Sequence, residues 1–204
     1  MSPGLVDLIR HGEPVGAPRY RGQVDDPLSE RGWAQMWRAV GAEPPWSRVV
    51  SSPLTRCHAF TLALGDRFGL PVTTDERLKE VRFGAWEGRS RPQIAAEDPD
   101  LLRRFYHDPV ANRPDGAEPL DAFTRRVVAG WEDWVAAHGG EHTLMVVHAG
   151  VIRAVLGHIL GIPYLSYYRI AVDNAGITRV RLDPERPPQV LFHGARLEHP
   201  RADP

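Results

Sequence analysis

Two histidines and two arginines in this chain follow short apolar runs, with an acidic loop between them in sequence. Leu5-Val6-Asp7-Leu8-Ile9 leads into Arg10-His11-Gly12-Glu13, and Arg48-Val49-Val50-Ser51 leads into Ser52-Pro53-Leu54-Thr55-Arg56. Leu144-Met145-Val146-Val147 leads into His148-Ala149-Gly150, and Leu78 to Gly88 sets Glu80 and Glu87 among aromatics and glycines. Arginine offers a rigid fork of donors suited to phosphate. Histidine is the side chain most readily used as nucleophile or acid/base near neutral pH. Gly12, next to the pair, lets the backbone turn sharply and a ligand come close. Paired histidines can also hold a metal, but guanidinium groups beside the ligands repel a cation. The same four residues suit a phosphoryl group, whose transferring oxygens carry negative charge.

Such residues work together only if the fold brings strand ends to one place. Leu5 to Ile9, Arg48 to Ser51, Pro71 to Thr74 and Thr143 to Val147 read as strands,. Between them, Ser29 caps a helix that stops at Gly41, and Pro53 opens another that ends near Gly69,. Pro92 to Tyr106 reads as one or two helices, Leu120 to Ala137 as a long one and Gly150 to Leu160 as a third,. Arg169 to Asp173 and Ile177 to Leu182 read as adjacent strands across Asn174-Ala175-Gly176, with an edge at Val190 to Phe192 and a polar tail from Glu198. This order predicts an α/β fold, a three-layer α/β/α sandwich on a mixed, mainly parallel sheet. Sites in such sheets lie beyond the carboxyl ends of the strands, where His11, Arg56 and His148 fall. The 204 residues read as one domain with a lid-like helical insertion at about 90–118,.

Composition narrows the function classes. A net charge of −1 gives no global electrostatic case for nucleic acid or an anionic membrane,. The single cysteine, Cys57, excludes an intrachain disulfide and a multi-cysteine zinc site, and fits a reducing compartment,. Its place beside Arg56, one position off the site-facing one, reads as a packed thiol. No run reaches the roughly 18 apolar residues of a membrane span, and Met1 to Gly4 lacks a basic leader region. The expectation is a cytoplasmic protein, monomer or homodimer, with no nucleic-acid or membrane partner.

Taken together, Arg10 to Glu13, Ser51 to Arg56, Leu78 to Gly88 and His148 resemble the signature of the histidine phosphatase superfamily, the phosphoglycerate-mutase-like group, in the family's order. The likeness runs from about residue 5 to about residue 182. It implies that His11 is the nucleophile and becomes a phosphohistidine. It further implies that Arg10, Arg56 and His148 bind the phosphoryl oxygens, and that Glu80 is the proton donor and then the base. Glu87 is the alternative acid, with a part in shaping the loop as its other reading. No metal or other cofactor is implied. The partner is a small phosphomonoester, with Arg21, Gly22 and Gln23 as candidate substrate contacts. One ring nitrogen of His11 is expected to donate to a backbone carbonyl, that of Gly12 being the candidate. Glu13 is expected to be structural.

Within the family, Gly16 and Ala17 stand where glycolytic mutases carry Trp-Asn, and the chain between Glu80 and His148 is short for a mutase. The pattern Tyr20-Xaa-Gly22-Xaa-Xaa-Asp25-Xaa-Pro27-Leu28-Ser29 is similar to alpha-ribazole-5′-phosphate phosphatases of cobalamin synthesis, and also to broad-specificity sugar-phosphate phosphatases. Ala149 and Pro119 depart from residues usual in relatives, which leaves substrate preference open. The competing readings are a mutase, which would return the phosphoryl group to substrate, and a non-catalytic module of the same fold.

Overall fold

The computed structural model describes residues 3–195. Its strands are β1 (Gly4–Arg10), β2 (Arg48–Ser51), β3 (Val72–Thr74), β4 (His142–Val147), β5 (Ile177–Asp183) and β6 (Arg186–Ala195). Among the described residues they form one sheet in the order β3-β2-β4-β1-β5-β6. β1 to β4 run parallel, β5 is antiparallel to β1, and β6 is antiparallel to β5. The helices are α1 (Glu30–Val40), α2 (Thr55–Phe68), α3 (Arg91–Ala95), α4 (Leu101–His107), α5 (Leu120–His138) and α6 (Ala149–Leu160). Successive residues of β4 alternate between two cores. Met145 and Val147 pack with Phe123, Val127 and Trp131 of α5 and Ile152 and Val155 of α6. Leu144 and Val146 pack on the other face with Met36 of α1 and Phe60 and Leu64 of α2. The three-layer α/β sandwich is therefore present. Parallel strands covered on both faces are apolar throughout, which is why Leu5–Ile9 and Leu144–Val147 stand out in the sequence.

Helix ends follow their capping residues. The Ser29 hydroxyl accepts from Gly32 N at 3.0 Å, and α2 and α6 stop at Gly69 and Gly161, both left-handed. Gly12 has another cause than the expected sharp turn. Its φ is not positive, and a Cβ there would lie 2.2 Å from the Gly32 carbonyl oxygen, so it lets the first loop press on α1.

One polar group sits in the middle of the sheet. Asp7 of β1 is fully buried and accepts from both Nε and Nη2 of Arg179 at 2.8 Å. Trp46 Nε1 donates to the same carboxylate at 2.7 Å, and His142 Nε2 lies 3.1 Å from it. The lowered Asp7 pKa reflects these partners outweighing a large opposing effect of burial.

The C-terminal strands differ from expectation. Arg169 to Asp173 is not a strand: Tyr164–Arg169 is a 3-10 turn, and β5 pairs instead with the ten-residue β6. Asn174-Ala175-Gly176 is not a hairpin turn but a splice onto β1, since Ala175 N donates to Arg10 O and Arg10 N to Gly176 O. The prolines Pro187 and Pro188 mask β6 in the sequence. An edge strand tolerates them because one side of its ladder is unpaired. The tail from Glu198 lies outside the described residues. Helices α3 and α4 pack on the loop that carries Glu80: buried Phe105 meets Trp86 and Tyr168 edge to face, with ring centroids 4.9 Å apart. Glu118 N donates to Arg82 O and Ala85 N to Asp115 O, tying down the stretch after α4. Among the described residues, no helix is long and apolar enough to cross a membrane.

Candidate active site

The two histidines meet where β1 and β4, adjacent and parallel, end together. His11 N donates to Val147 O at 3.0 Å, continuing the ladder by one residue, and Asn174 Nδ2 donates to His11 O at 3.0 Å. The imidazole centroids are 5.1 Å apart, with the rings inclined at 66°. His11 Nδ1 lies 2.8 Å from Gly12 O. A carbonyl only accepts, so Nδ1 carries the proton and Nε2 keeps its lone pair. His148 Nε2 lies 2.8 Å from the Ser52 hydroxyl, which the end of β2 supplies. Burial, followed by the charges of Arg56 and Arg10, holds His11 well below its ordinary 6.5. Burial and Arg56 act in the same sense on His148. Both rings are neutral at pH 7. Cys57 packs behind His148, its Sγ 3.6 Å from Nε2, and burial pushes its thiol pKa up.

Arg10 and Arg56 are held by carbonyls rather than carboxylates. Arg10 Nη1 donates to Val172 O at 2.6 Å; Arg56 donates to Val24 O at 2.8 Å and to Gly22 O at 2.7 Å. The Nε atoms of both are buried and have no partner among the described residues. A buried donor without an acceptor costs about 1–3 kcal/mol, more when charged. Two such guanidinium groups beside neutral histidines make a pocket for an anion with several oxygens.

Glu80 reaches the site from the loop between β3 and α3. Its Oε2 accepts from Gly150 N at 3.2 Å, at the start of α6, and its Oε1 from Val81 N at 3.0 Å. A Cβ on Gly150 would lie 2.2 Å from Glu80 Oε1, so only glycine admits the carboxylate there. Arg126 of α5 donates to the carbonyls of Arg77, Lys79 and Glu80 and pairs with Glu118. Glu87 has a different place. Its Oε1 accepts from Gln23 N at 3.1 Å and Phe83 N at 3.0 Å, which joins two loops.

The three candidate substrate contacts also brace the site. Arg21 pairs with Asp26 and donates to Val15 O, so its fork is engaged within its own loop. Gly22 offers its carbonyl to Arg56, and Gln23 Nε2 donates to Glu80 O at 3.2 Å. Glu13 receives Ser29 N and hydroxyl on its carbonyl, which places it in the turn. Asn174 reads in the sequence only as part of the link between two strands, and Arg126 carries no signal there. Ser52 has no role there beyond its place in the motif. Among the described residues, no three His, Cys, Asp or Glu side chains cluster as a metal site.

A doubly covered, mainly parallel sheet with a His–His–Arg–Arg anion pocket at its strand ends defines a class, and comparison with known proteins gives the family. The sequence profile of the histidine phosphatase superfamily (branch 1) matches residues 6–193, and the chain belongs to that superfamily. A bifunctional protein of Mycobacterium tuberculosis is 32% identical over 182 residues, which cover 87% of this chain and 50% of that one. The chain thus spans about half the length of this relative. A glucosyl-3-phosphoglycerate phosphatase of Mycolicibacterium vanbaalenii is 32% identical over 195 residues, with 87% and 86% covered. Among solved structures, a mycobacterial glucosyl-3-phosphoglycerate phosphatase superimposes with a TM-score of 0.81 at 27% identity, covering 95% of this chain and 99% of that one. The alpha-ribazole phosphatase of Shigella flexneri gives 0.75 at 27% identity, covering 94% and 96%.

Proposed function

We propose that this chain hydrolyses a small phosphomonoester through a phosphohistidine, without a metal ion. In the first step Nε2 of His11 attacks phosphorus and the bond to the leaving oxygen breaks, with Glu80 passing its proton to that oxygen. In the second, water attacks phosphorus, its proton goes to Glu80, and the nitrogen–phosphorus bond breaks to release phosphate. Arg10, Arg56 and His148 hold the equatorial oxygens and stabilise their charge. The observation that carries this reading is the neutral His11, its Nδ1 proton fixed on Gly12 O, beside two guanidinium groups that lack carboxylate partners among the described residues. Segment 90–118, packed on the Glu80 loop, serves as the cover of the site. The single buried Cys57 fits a cytoplasmic enzyme,.

The test is release of phosphate from p-nitrophenyl phosphate with EDTA present. The native protein turns over there and takes up label from radioactive substrate, and His11→Ala loses both. A folded native protein that is inactive across a panel of phosphomonoesters sinks the proposal, as does acid-labile phosphoprotein persisting in His11→Ala. With 3-phosphoglycerate, isomerisation without phosphate release marks a mutase instead. Glucosyl-3-phosphoglycerate and alpha-ribazole phosphate, the substrates named for its relatives, belong in the same panel.

A further inference from the structure

Ser52, the residue after β2, is fully buried, and its backbone is fixed on both sides. Its N donates to Val146 O at 3.1 Å, and its carbonyl accepts the Ser51 hydroxyl at 2.7 Å. Its own hydroxyl accepts from Leu54 N at 3.3 Å and lies 2.8 Å from His148 Nε2. A hydroxyl has one proton to give, and a buried one finds an acceptor. Leu54 N is a donor, so among the described residues His148 Nε2 is the one partner that can take this proton. The opposite arrangement, with an Nε2 proton donated to the hydroxyl, leaves the hydroxyl proton buried without an acceptor. The rest of the ring agrees. His148 stands at the N-cap of α6, where a bare Nδ1 could accept from the first-turn N–H groups, yet its side chain accepts from none of them,. Nδ1 has no nitrogen or oxygen partner among the described residues. Cys57 Sγ touches the ring, 3.6 Å from Nε2 and 3.9 Å from Nδ1, but its thiol donates to Val147 O at 3.5 Å and supplies no proton to either nitrogen.

We infer that Ser52 is a positioning residue: its hydroxyl donates to His148 Nε2, which places the ring proton on Nδ1 and makes that N–H the donor offered to a phosphoryl oxygen. The use of the donor rests on the hydrolase reading above; the tautomer does not. A neutral imidazole has one N–H, so a proton on the wrong nitrogen replaces a donor with a lone pair facing an anion. The two histidines then hold their protons on the same atom for opposite ends. Gly12 O takes the Nδ1 proton of His11 and leaves Nε2 bare for attack, whereas Ser52 fills Nε2 of His148 and leaves the Nδ1 proton free. Ser52 and Arg56, four residues apart, thus serve the pocket from one short segment, the first through His148 and the second directly.

The experiment is nitrogen NMR at pH 7.5 on the native protein labelled with ¹⁵N at histidine, the His148 signals being assigned by their loss in His148→Gln. The ¹⁵N shift separates a protonated ring nitrogen from a bare one. The expected result for His148 is a protonated Nδ1 and a bare Nε2. A proton on Nε2, or an even mixture, overturns the inference and needs no variant, so a misfolded variant does not protect it. Inorganic phosphate is then added as the probe, and the Nδ1 proton is expected to move downfield as it gains an acceptor. Phosphate that binds and leaves this proton unmoved overturns its use as a donor. Phosphate that does not bind, with no turnover of any phosphomonoester, counts against the hydrolase reading instead, and the ligand-free spectrum still decides the tautomer. In Ser52→Ala the proton is expected to spread over both nitrogens, with the inhibition constant of phosphate and the substrate KM rising about tenfold. Ser52→Thr, which keeps the hydroxyl, restores the native tautomer. A folded Ser52→Ala that retains either the native tautomer or the native phosphate affinity overturns the role of Ser52.

Discussion

His11 and His148 are buried with two guanidinium groups facing them, so protonation of either ring is opposed inside the fold and free outside it. The unfolded chain takes up those protons near pH 6.5, while the folded one does so well below. Between the two values the unfolded state binds more protons, so stability is full above pH 6.5 and falls as the pH drops below it. Each ring contributes up to about 1.4 kcal/mol per pH unit in that window. Urea midpoints at pH 7.5, 6.5 and 5.5 check this, and a flat profile contradicts it. Glu80 makes the second residue-scale prediction. Glu80→Gln is expected to slow hydrolysis of alkyl phosphates by roughly 10²–10⁴-fold, and of p-nitrophenyl phosphate much less, because that leaving group needs little protonation. If Glu87→Gln shows this pattern instead, the acid is misassigned. His11 and His148 stand out because each follows an apolar run, and Arg56 and Glu80 because each lies in a compact motif, Ser51 to Arg56 and Leu78 to Gly88. Their braces were not legible: Asn174 reaches His11 O across 163 residues of sequence and Arg126 reaches the carbonyls of Arg77, Lys79 and Glu80 across 49, 47 and 46, and no local pattern marks such pairs.

At the scale of elements, α6 is the part that brings the end of β4 and the Glu80 loop together. His148 stands at its N-cap position with its ring turned to Ser52, and Gly150 gives its N–H to Glu80. Gly150→Ala is expected to fold, because its Cβ meets the movable carboxylate end at 2.2 Å and the Phe123 ring at 3.1 Å rather than backbone. It displaces Glu80, and a misplacement of that size costs on the order of 10²-fold in kcat. Steady-state kinetics with an alkyl phosphate, beside a thermal melt within a few degrees of the native protein's, checks both halves. Native kcat with that melt shows that Gly150 does not position Glu80. Helices with caps and apolar stripes were readable from sequence, as Ser29 and Gly161 illustrate. Strand β6 was not, because Pro187 and Pro188 contradict the strand pattern and its outer edge has no partner to demand better,.

For the whole molecule, Asp7 ties three distant stretches of chain to the centre of the sheet through Trp46, His142 and Arg179. Asp7→Ala leaves Arg179 and the indole N–H facing an apolar gap and is expected to cost about 3–5 kcal/mol. Denaturant titration measures it, and a loss below about 1 kcal/mol removes Asp7 as a keystone. The layered α/β arrangement was legible because strand and helix periods alternate. The position of β1 in it was not, since register and neighbours depend on residues far along the chain. That position shapes how the protein is made. β1 is translated before both of its neighbours, β4 and β5, so it waits from residue 10 until residue 142 and beyond for a partner. At ~5–20 residues per second on the ribosome the wait is on the order of ten seconds. During it Leu5 to Ile9 is an unpaired apolar segment open to aggregation or to a chaperone, and His11 gains the company of His148 only when the stretch beyond residue 142 arrives.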